Sequence, residues 1–146
     1  MKWIDIPPVW LILALVVAYA LGRLLPLDLG ALPRAGGTAL VTLGLGLIAL
    51  AAREFLKHRT TIIPRQAPAG LITSGIFRVT RNPIYLGDAL ILAGLCLRWD
   101  AALALPLVPL FVWFITRRFI EQEEQTLGAA FPQSFPAYLS TSKRWL

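Results

Sequence analysis

Two short polar stretches hold the residue types that could do chemistry in this chain. The first, Thr73-Ser74-Gly75-Ile76-Phe77-Arg78-Val79-Thr80-Arg81-Asn82-Pro83-Ile84-Tyr85-Leu86-Gly87, is basic and turn-rich and runs straight into an apolar segment. Asn82 is a good N-cap and Pro83 suits the first helical position. Arg81-Asn82-Pro83 therefore predicts a helix start with free backbone N–H groups and the positive end of a helix dipole, which can hold an anionic group. The second, Arg117-Arg118-Phe119-Ile120-Glu121-Gln122-Glu123-Glu124-Gln125-Thr126-Leu127, carries three of the eight acidic residues. Helical spacing puts Arg117, Glu121 and Glu124 on one face and turns Glu123 about 100° away from Glu124. One carboxylate can then face a ligand while another is held by an arginine. A positive helix end beside carboxylates suits a zwitterion with an anionic carboxylate and a cationic amine. The competing reading is a solvated, salt-bridged face at a membrane surface.

The elements that would position these stretches are membrane helices. The chain has 146 residues, 57% of them hydrophobic, too apolar for an ordinary soluble domain. Four apolar runs stand out: Ile6 to Leu21, Ala35 to Ala52, Ile84 to Leu97 and Ala101 to Thr116. Each is about 14–18 residues, near or below the ~20 that cross a bilayer core. They predict an all-α integral membrane protein of a single domain with about four transmembrane helices, at 6–25, 35–56, 83–98 and 101–120. The connection 57–82 and the helical C-terminal segment 121–146 are expected in the cytoplasm. No small-residue cleavage site follows the first run, so it reads as an uncleaved span.

Only Arg98-Trp99-Asp100 separates the third run from the fourth, which predicts a tight antiparallel hairpin. That hairpin returns the chain to its starting side and brings Arg81, Asn82 and Tyr85 close to Glu121, Glu123 and Glu124. Pro106 and Pro109 are expected to bend or loosen the fourth helix, either as a packing kink or as an opening for a ligand. Gly44, Gly46, Gly87 and Gly94 are expected to let helices approach closely. Asp88 lies one turn into the third helix, where an ionisable group is costly. It either meets interfacial water or an arginine, or faces a cavity and touches a cofactor or acceptor.

The net charge of +6 first suggests nucleic acid, but the cations sit at the ends of apolar runs, as anchors to anionic lipid do. Lys57, Arg59, Arg65, Arg78, Arg81, Arg117, Arg118, Lys143 and Arg144 place both termini and the 57–83 segment in the cytoplasm by the positive-inside rule. This is the pattern of a multi-pass protein, as in a bacterial inner membrane. The lone Cys96 excludes an internal disulfide and reads as a buried thiol; the lone His58 excludes a histidine metal cluster. Neither a metal nor a nucleic-acid partner is expected, and the bilayer is.

At these residues the sequence resembles the isoprenylcysteine carboxyl methyltransferase and phospholipid methyltransferase family. Three blocks match in order over residues 60–146. Leu71-Ile72-Thr73-Ser74-Gly75-Ile76-Phe77-Arg78 leads to Arg81-Asn82-Pro83-Ile84-Tyr85-Leu86-Gly87; Glu123-Glu124 precedes Leu127; and Phe131, Phe135 and Tyr138 are followed by Lys143-Arg144-Trp145. Asn82 stands where eukaryotic members often have histidine, and Ile76 replaces the usual proline. The resemblance implies a cofactor, S-adenosyl-L-methionine, held without a Rossmann domain at the cytoplasmic membrane face. Its implied contacts are Gly75, Phe77, Asn82, Pro83, Tyr85, Leu86, Glu123 and Glu124. A lipophilic acceptor, an isoprenylcysteine-like carboxylate or a lipid amine, would enter from the bilayer.

Methyl transfer needs in-line placement more than a strong acid or base. A carboxylate acceptor is already ionised; an amine must lose a proton, for which Asp88 or a glutamate is the candidate. Arg81 and Asp88 are the candidate catalytic residues. Two other readings compete. One is a sterol-reductase-like membrane reductase, although no glycine fingerprint for a dinucleotide is present. The other is a small packing or transport protein, which leaves the clustered glutamates unexplained.

Overall fold

The computed structural model describes residues 5–59 and 70–146. Its helices are α1 (Pro7–Leu24), α2 (Ala31–Lys57), α3 (Pro83–Arg98), α4 (Leu107–Ile115), α5 (Glu121–Ala130) and α6 (Ser134–Thr141). A π-turn at Thr116–Ile120 joins α4 to α5, and 3-10 turns occupy Gly75–Arg78 and Ala102–Ala104. Among the described residues there is no strand; the one ladder contact is a parallel bridge between Thr80 and Lys143. Residues 60–69 of the expected 57–82 connection, Arg65 among them, lie outside the described residues.

Local sequence explains the helix starts. Prolines open α1 and α3 at the first helical turn, where a missing N–H costs nothing. Gly30, at φ 80°, takes the left-handed backbone that turns the chain into α2. Pro106 and Pro109 fall at the start of α4 and not in the middle of a helix. The helix expected from residue 101 therefore begins only at Leu107, after a 3-10 turn. The connection from α3 runs from Trp99 to Pro106 and is longer than the three-residue turn expected.

Three helical runs are long and apolar enough to cross a membrane: Pro7–Leu24, Ala31–Lys57 and Ala102–Ala130. Helix α3 differs. Its 16 residues rise about 24 Å, short of a ~30 Å hydrocarbon core, and it is the most enclosed element. Leu92 and Cys96 are fully buried, within a core shared with Ala18 of α1, Phe111 and Ile115 of α4, and Phe119 and Ile120 of the π-turn. A second, smaller cluster joins Ala51, Ile72 and Phe77.

Helices α2 and α3 meet backbone to backbone at two glycine pairs. A Cβ on Gly37 would lie 2.5 Å from the Gly94 carbonyl oxygen, and one on Gly44 would lie 2.6 Å from that of Gly87. Any side chain there would force the helices apart. The packing role read for Gly44, Gly87 and Gly94 is the one observed. Gly46 faces open space, because two residues along a helix turn a side chain about 200° to the far side. Gly37, seven residues before Gly44, takes its place.

The end of α3 away from Asn82 is closed by a charged clamp. Arg34 donates from Nε and Nη2 to the two carboxylate oxygens of Asp100, at 3.1 and 2.7 Å, and from Nη2 to Asp28 at 3.0 Å. The Leu29 N–H donates to the same carboxylate at 3.3 Å. Arg34 holds the Asp100 carboxyl below its ordinary range, chiefly through this hydrogen bond.

Candidate functional site

At the opposite end, α3 begins among residues from four parts of the chain. Pro83 opens the helix and Asn82 caps it by position, but the Asn82 side chain makes no capping bond to the helix. The expected cap is replaced by a longer-range contact: Asn82 Nδ2 donates to the Arg144 carbonyl at 2.9 Å, and its backbone N–H donates to Thr80 Oγ1 at 3.2 Å. The cause is the returning C-terminus, whose Lys143 carbonyl accepts from the Arg81 N–H at 2.8 Å. A carbonyl within reach competes with the local cap for the same side chain.

The hairpin geometry brings the two polar stretches together as expected. Tyr85 donates its hydroxyl to Glu123 Oε1 at 2.7 Å. Arg81 donates to Glu124 Oε1 at 3.4 Å, and Arg144 donates to both oxygens of Glu124 at 3.1 and 2.5 Å. Arg81 also reaches the Ser142 carbonyl at 2.5 Å, so Glu124 and the C-terminus share one guanidinium. The side chains of Arg81 and Glu124 are 13% and 17% exposed, and a pair so sheltered from water is worth more than a surface bridge. The Arg144 guanidinium is held above its usual range by its bond to Glu124.

Of the face expected from Arg117, Glu121 and Glu124, Arg117 pairs with Glu121 at 3.1 Å on an exposed surface, and Glu124 goes to Arg81 and Arg144. The charge of Glu121 also acts on Arg144. A π-turn at Thr116–Ile120 leads into this helix. Arg118, within this turn, pairs with Asp5 near the N-terminus.

Asp88 lies one turn beyond Tyr85 on the same face. It is 6% exposed, and no hydrogen bond or ion pair to it occurs among the described residues. No arginine among the described residues pairs with it. Glu123 Oε2 likewise accepts no bond from the described residues, since Tyr85 uses only Oε1. Unpaired buried carboxylate oxygens are costly to keep.

The remaining expected residues line the approach to α3. Gly75 is exposed, in the left-handed region at φ 57°. Phe77 is buried against Phe55, rings edge to face at 5.5 Å, and its carbonyl accepts the Tyr138 hydroxyl at 2.7 Å. Burial pushes the Tyr138 hydroxyl up to about 12, so it stays a donor at any ordinary pH. Pro83 and Leu86 are buried, as is Cys96.

Sequence reasoning assigned no site role to three participants. Ser142 and Arg144 approach from about 60 residues away; Arg144 stands in the third matching block, Lys143-Arg144-Trp145, without a role, and Ser142 has no signal. Glu54 is buried near the C-terminal end of α2, beneath Ser74 and Gly75. A signal for it existed: Gly37, Gly44, Ala51 and Glu54 continue one helix face at intervals of seven, seven and three.

With this geometry in place, residues 32–133, more than two thirds of the chain, match the phospholipid methyltransferase family. The chain belongs to that family. No curated protein and no solved structure matches it. Phospholipid methyltransferase membership and three apolar helices make this an integral membrane protein of a methyltransferase family. The reductase and packing-protein readings have no comparable support.

Proposed function

We propose that this protein is a membrane-embedded methyltransferase that uses S-adenosyl-L-methionine to methylate a lipophilic acceptor. The observation that carries the reading is the meeting of Arg81, Asn82 and Tyr85 with Glu123 and Glu124 at the start of α3, beside carboxylate oxygens left without a partner. Those oxygens, on Asp88 and Glu123, fit a ligand with cationic centres, and S-adenosyl-L-methionine has two, a sulfonium and an ammonium. When bound, it supplies an electrophilic methyl group.

The chain's residues divide the remaining work. Gly75 and Asn82 offer backbone and amide groups, Phe77, Pro83 and Leu86 an apolar wall, and Glu123 an anionic contact set in place by Tyr85. Glu124 gathers Arg81 and Arg144 into one fixed group at the rim, so Arg81 acts through that group. Asp88, deeper in α3, stands where it can take a proton from an amine acceptor; a carboxylate acceptor would need no such help. The acceptor enters from the bilayer side of Tyr85 and Asp88. The positive-inside rule places this end, with Lys57, Arg78, Arg81 and Lys143, in the cytoplasm.

The direct test is isothermal titration of the detergent-solubilised chain with S-adenosylhomocysteine. Saturable binding is expected. A flat titration at millimolar ligand removes the proposal.

A further inference from the structure

Beneath the exposed Gly75 lies a buried acid that the reading above leaves unused. Glu54 is 8% exposed, and Ser74 Oγ donates to its Oε2 at 2.5 Å. His58, one helical turn further along α2, brackets the pair: Nδ1 lies 2.9 Å from the Glu54 carbonyl and 3.8 Å from its carboxylate, and Nε2 lies 3.4 Å from Ser74 Oγ. Gly75 rests directly on the same carboxylate. A Cβ at Gly75 would stand 2.6 Å from Glu54 Cδ and Oε1. The left-handed backbone of Gly75 and the absence of its side chain are thus both needed for the turn to sit where it does.

We propose that Glu54 is a positioning residue for the ligand-binding turn, acting through the Ser74 hydroxyl. The inference rests on the reading of this end of the molecule as the S-adenosyl-L-methionine site. A buried carboxylate is an expensive way to fill space, and an apolar residue would pack there at less cost. What it supplies is a short, charge-assisted bond that fixes its partner in one place. The segment from Ser74 to Asn82 has other fixed points, among them the Tyr138 hydroxyl on the Phe77 carbonyl, the Lys143 carbonyl on the Arg81 N–H and the Arg144 carbonyl on Asn82 Nδ2. These hold its downstream part. Glu54, with His58 as a longer second contact to Ser74 Oγ, ties the upstream end, Ser74-Gly75, to a membrane helix. Without it the turn is free to swing about Phe77, carrying Gly75 away from the ligand.

The test compares Ser74→Val with Ser74→Thr in the full chain. The two differ by a hydroxyl at nearly constant volume. Affinity for S-adenosylhomocysteine and melting temperature are read on both, together with Glu54→Ala and the Glu54→Ala/Ser74→Val double variant. Ser74→Thr is expected to bind within about twofold of the unchanged protein, and Ser74→Val roughly tenfold more weakly. The double variant is expected to be no worse than the poorer single one, as for two residues acting as a unit. Equal affinity of the Val and Thr variants overturns the inference and leaves the proposed function standing. So does a lowered melting temperature with unchanged affinity, the mark of a purely structural bond. If Glu54→Ala does not fold, the Val and Thr pair decides alone. An unchanged protein that binds no S-adenosylhomocysteine removes both proposals together.

Discussion

The two ends of α3 are built from similar parts and finished differently. At Trp99–Asp100, an arginine meets a carboxylate through Nε and Nη2, a backbone N–H adds a further donor to it, and a second aspartate accepts from the same Nη2. At Asn82–Tyr85, two arginines likewise hold Glu124, yet within one helical turn Asp88 and one oxygen of Glu123 accept no bond from the described residues. An arginine–carboxylate pair therefore does not distinguish a site from a strut, since both ends have one. The distinction lies in the acceptors left over after the internal bonds are made. The clamp end is chemically closed; the Asn82 end is chemically open.

That contrast breaks most visibly at Glu124. Glu124→Gln leaves the sheltered Arg81 and the more exposed Arg144 short of a counter-charge, and is expected to cost about 2–3 kcal/mol of stability and to weaken S-adenosylhomocysteine binding; thermal unfolding and titration read both. Asp88→Leu sharpens the contrast by separating stability from function. Removing an unpaired acid from an apolar helix is expected to raise stability by about 1–3 kcal/mol while reducing ligand binding or turnover. If Asp88 were a structural residue, the same change would lower the melting temperature.

Tyr85→Phe deletes only the donor to Glu123 and leaves that carboxylate without a partner. A loss of about 1–2 kcal/mol in ligand affinity is expected, with helix content unchanged by circular dichroism. The smallest effect belongs to the closed end. Asp100→Asn is expected to leave ligand affinity untouched and to lower the melting temperature slightly, as exposed pairs do. Its pH signature follows from the depressed carboxyl of Asp100. The contribution is present above the ordinary carboxylate range near pH ~4 and is lost as pH falls through the lower folded value. The unchanged protein should show this acid-side decline, and Asp100→Asn should lack it.

Much of this was legible in the sequence because it depends on local pattern. Hydropathy marks the long helices, Asn82-Pro83 marks the start of α3, and the return of the chain after Trp99 brings Tyr85 to Glu123 and Arg81 to Glu124. What was not legible depends on distant or irregular structure. Ser142 reaches Arg81, and Arg144 reaches Asn82, through the turn that follows α6, so the expected Asn82 cap gives way to a partner no local rule could supply. The burial of α3 follows from backbone contact at Gly37–Gly94 and Gly44–Gly87, a matter of which glycines face each other and not of how many there are. Glu54 sits at the end of an apolar run, where a charge reads as a boundary until the turn above it is seen.

The π-turn at Thr116–Ile120 has a consequence for how this chain could change by descent. Its hallmark in the structure is small: Thr116 Oγ1 bonds back to the Val112 carbonyl at 2.7 Å, the kind of back-bond that loosens a helix. Yet the surplus residue it accommodates is the one the helix could lose. Five residues of π-turn advance and rotate the chain about as much as four residues of α-helix. Loss of a single codon between 116 and 120 would therefore restore an unbroken α-helix and leave Glu123 at Tyr85 and Glu124 at both arginines. Pressing all five residues into α-helix would instead rotate everything after them by about 100°.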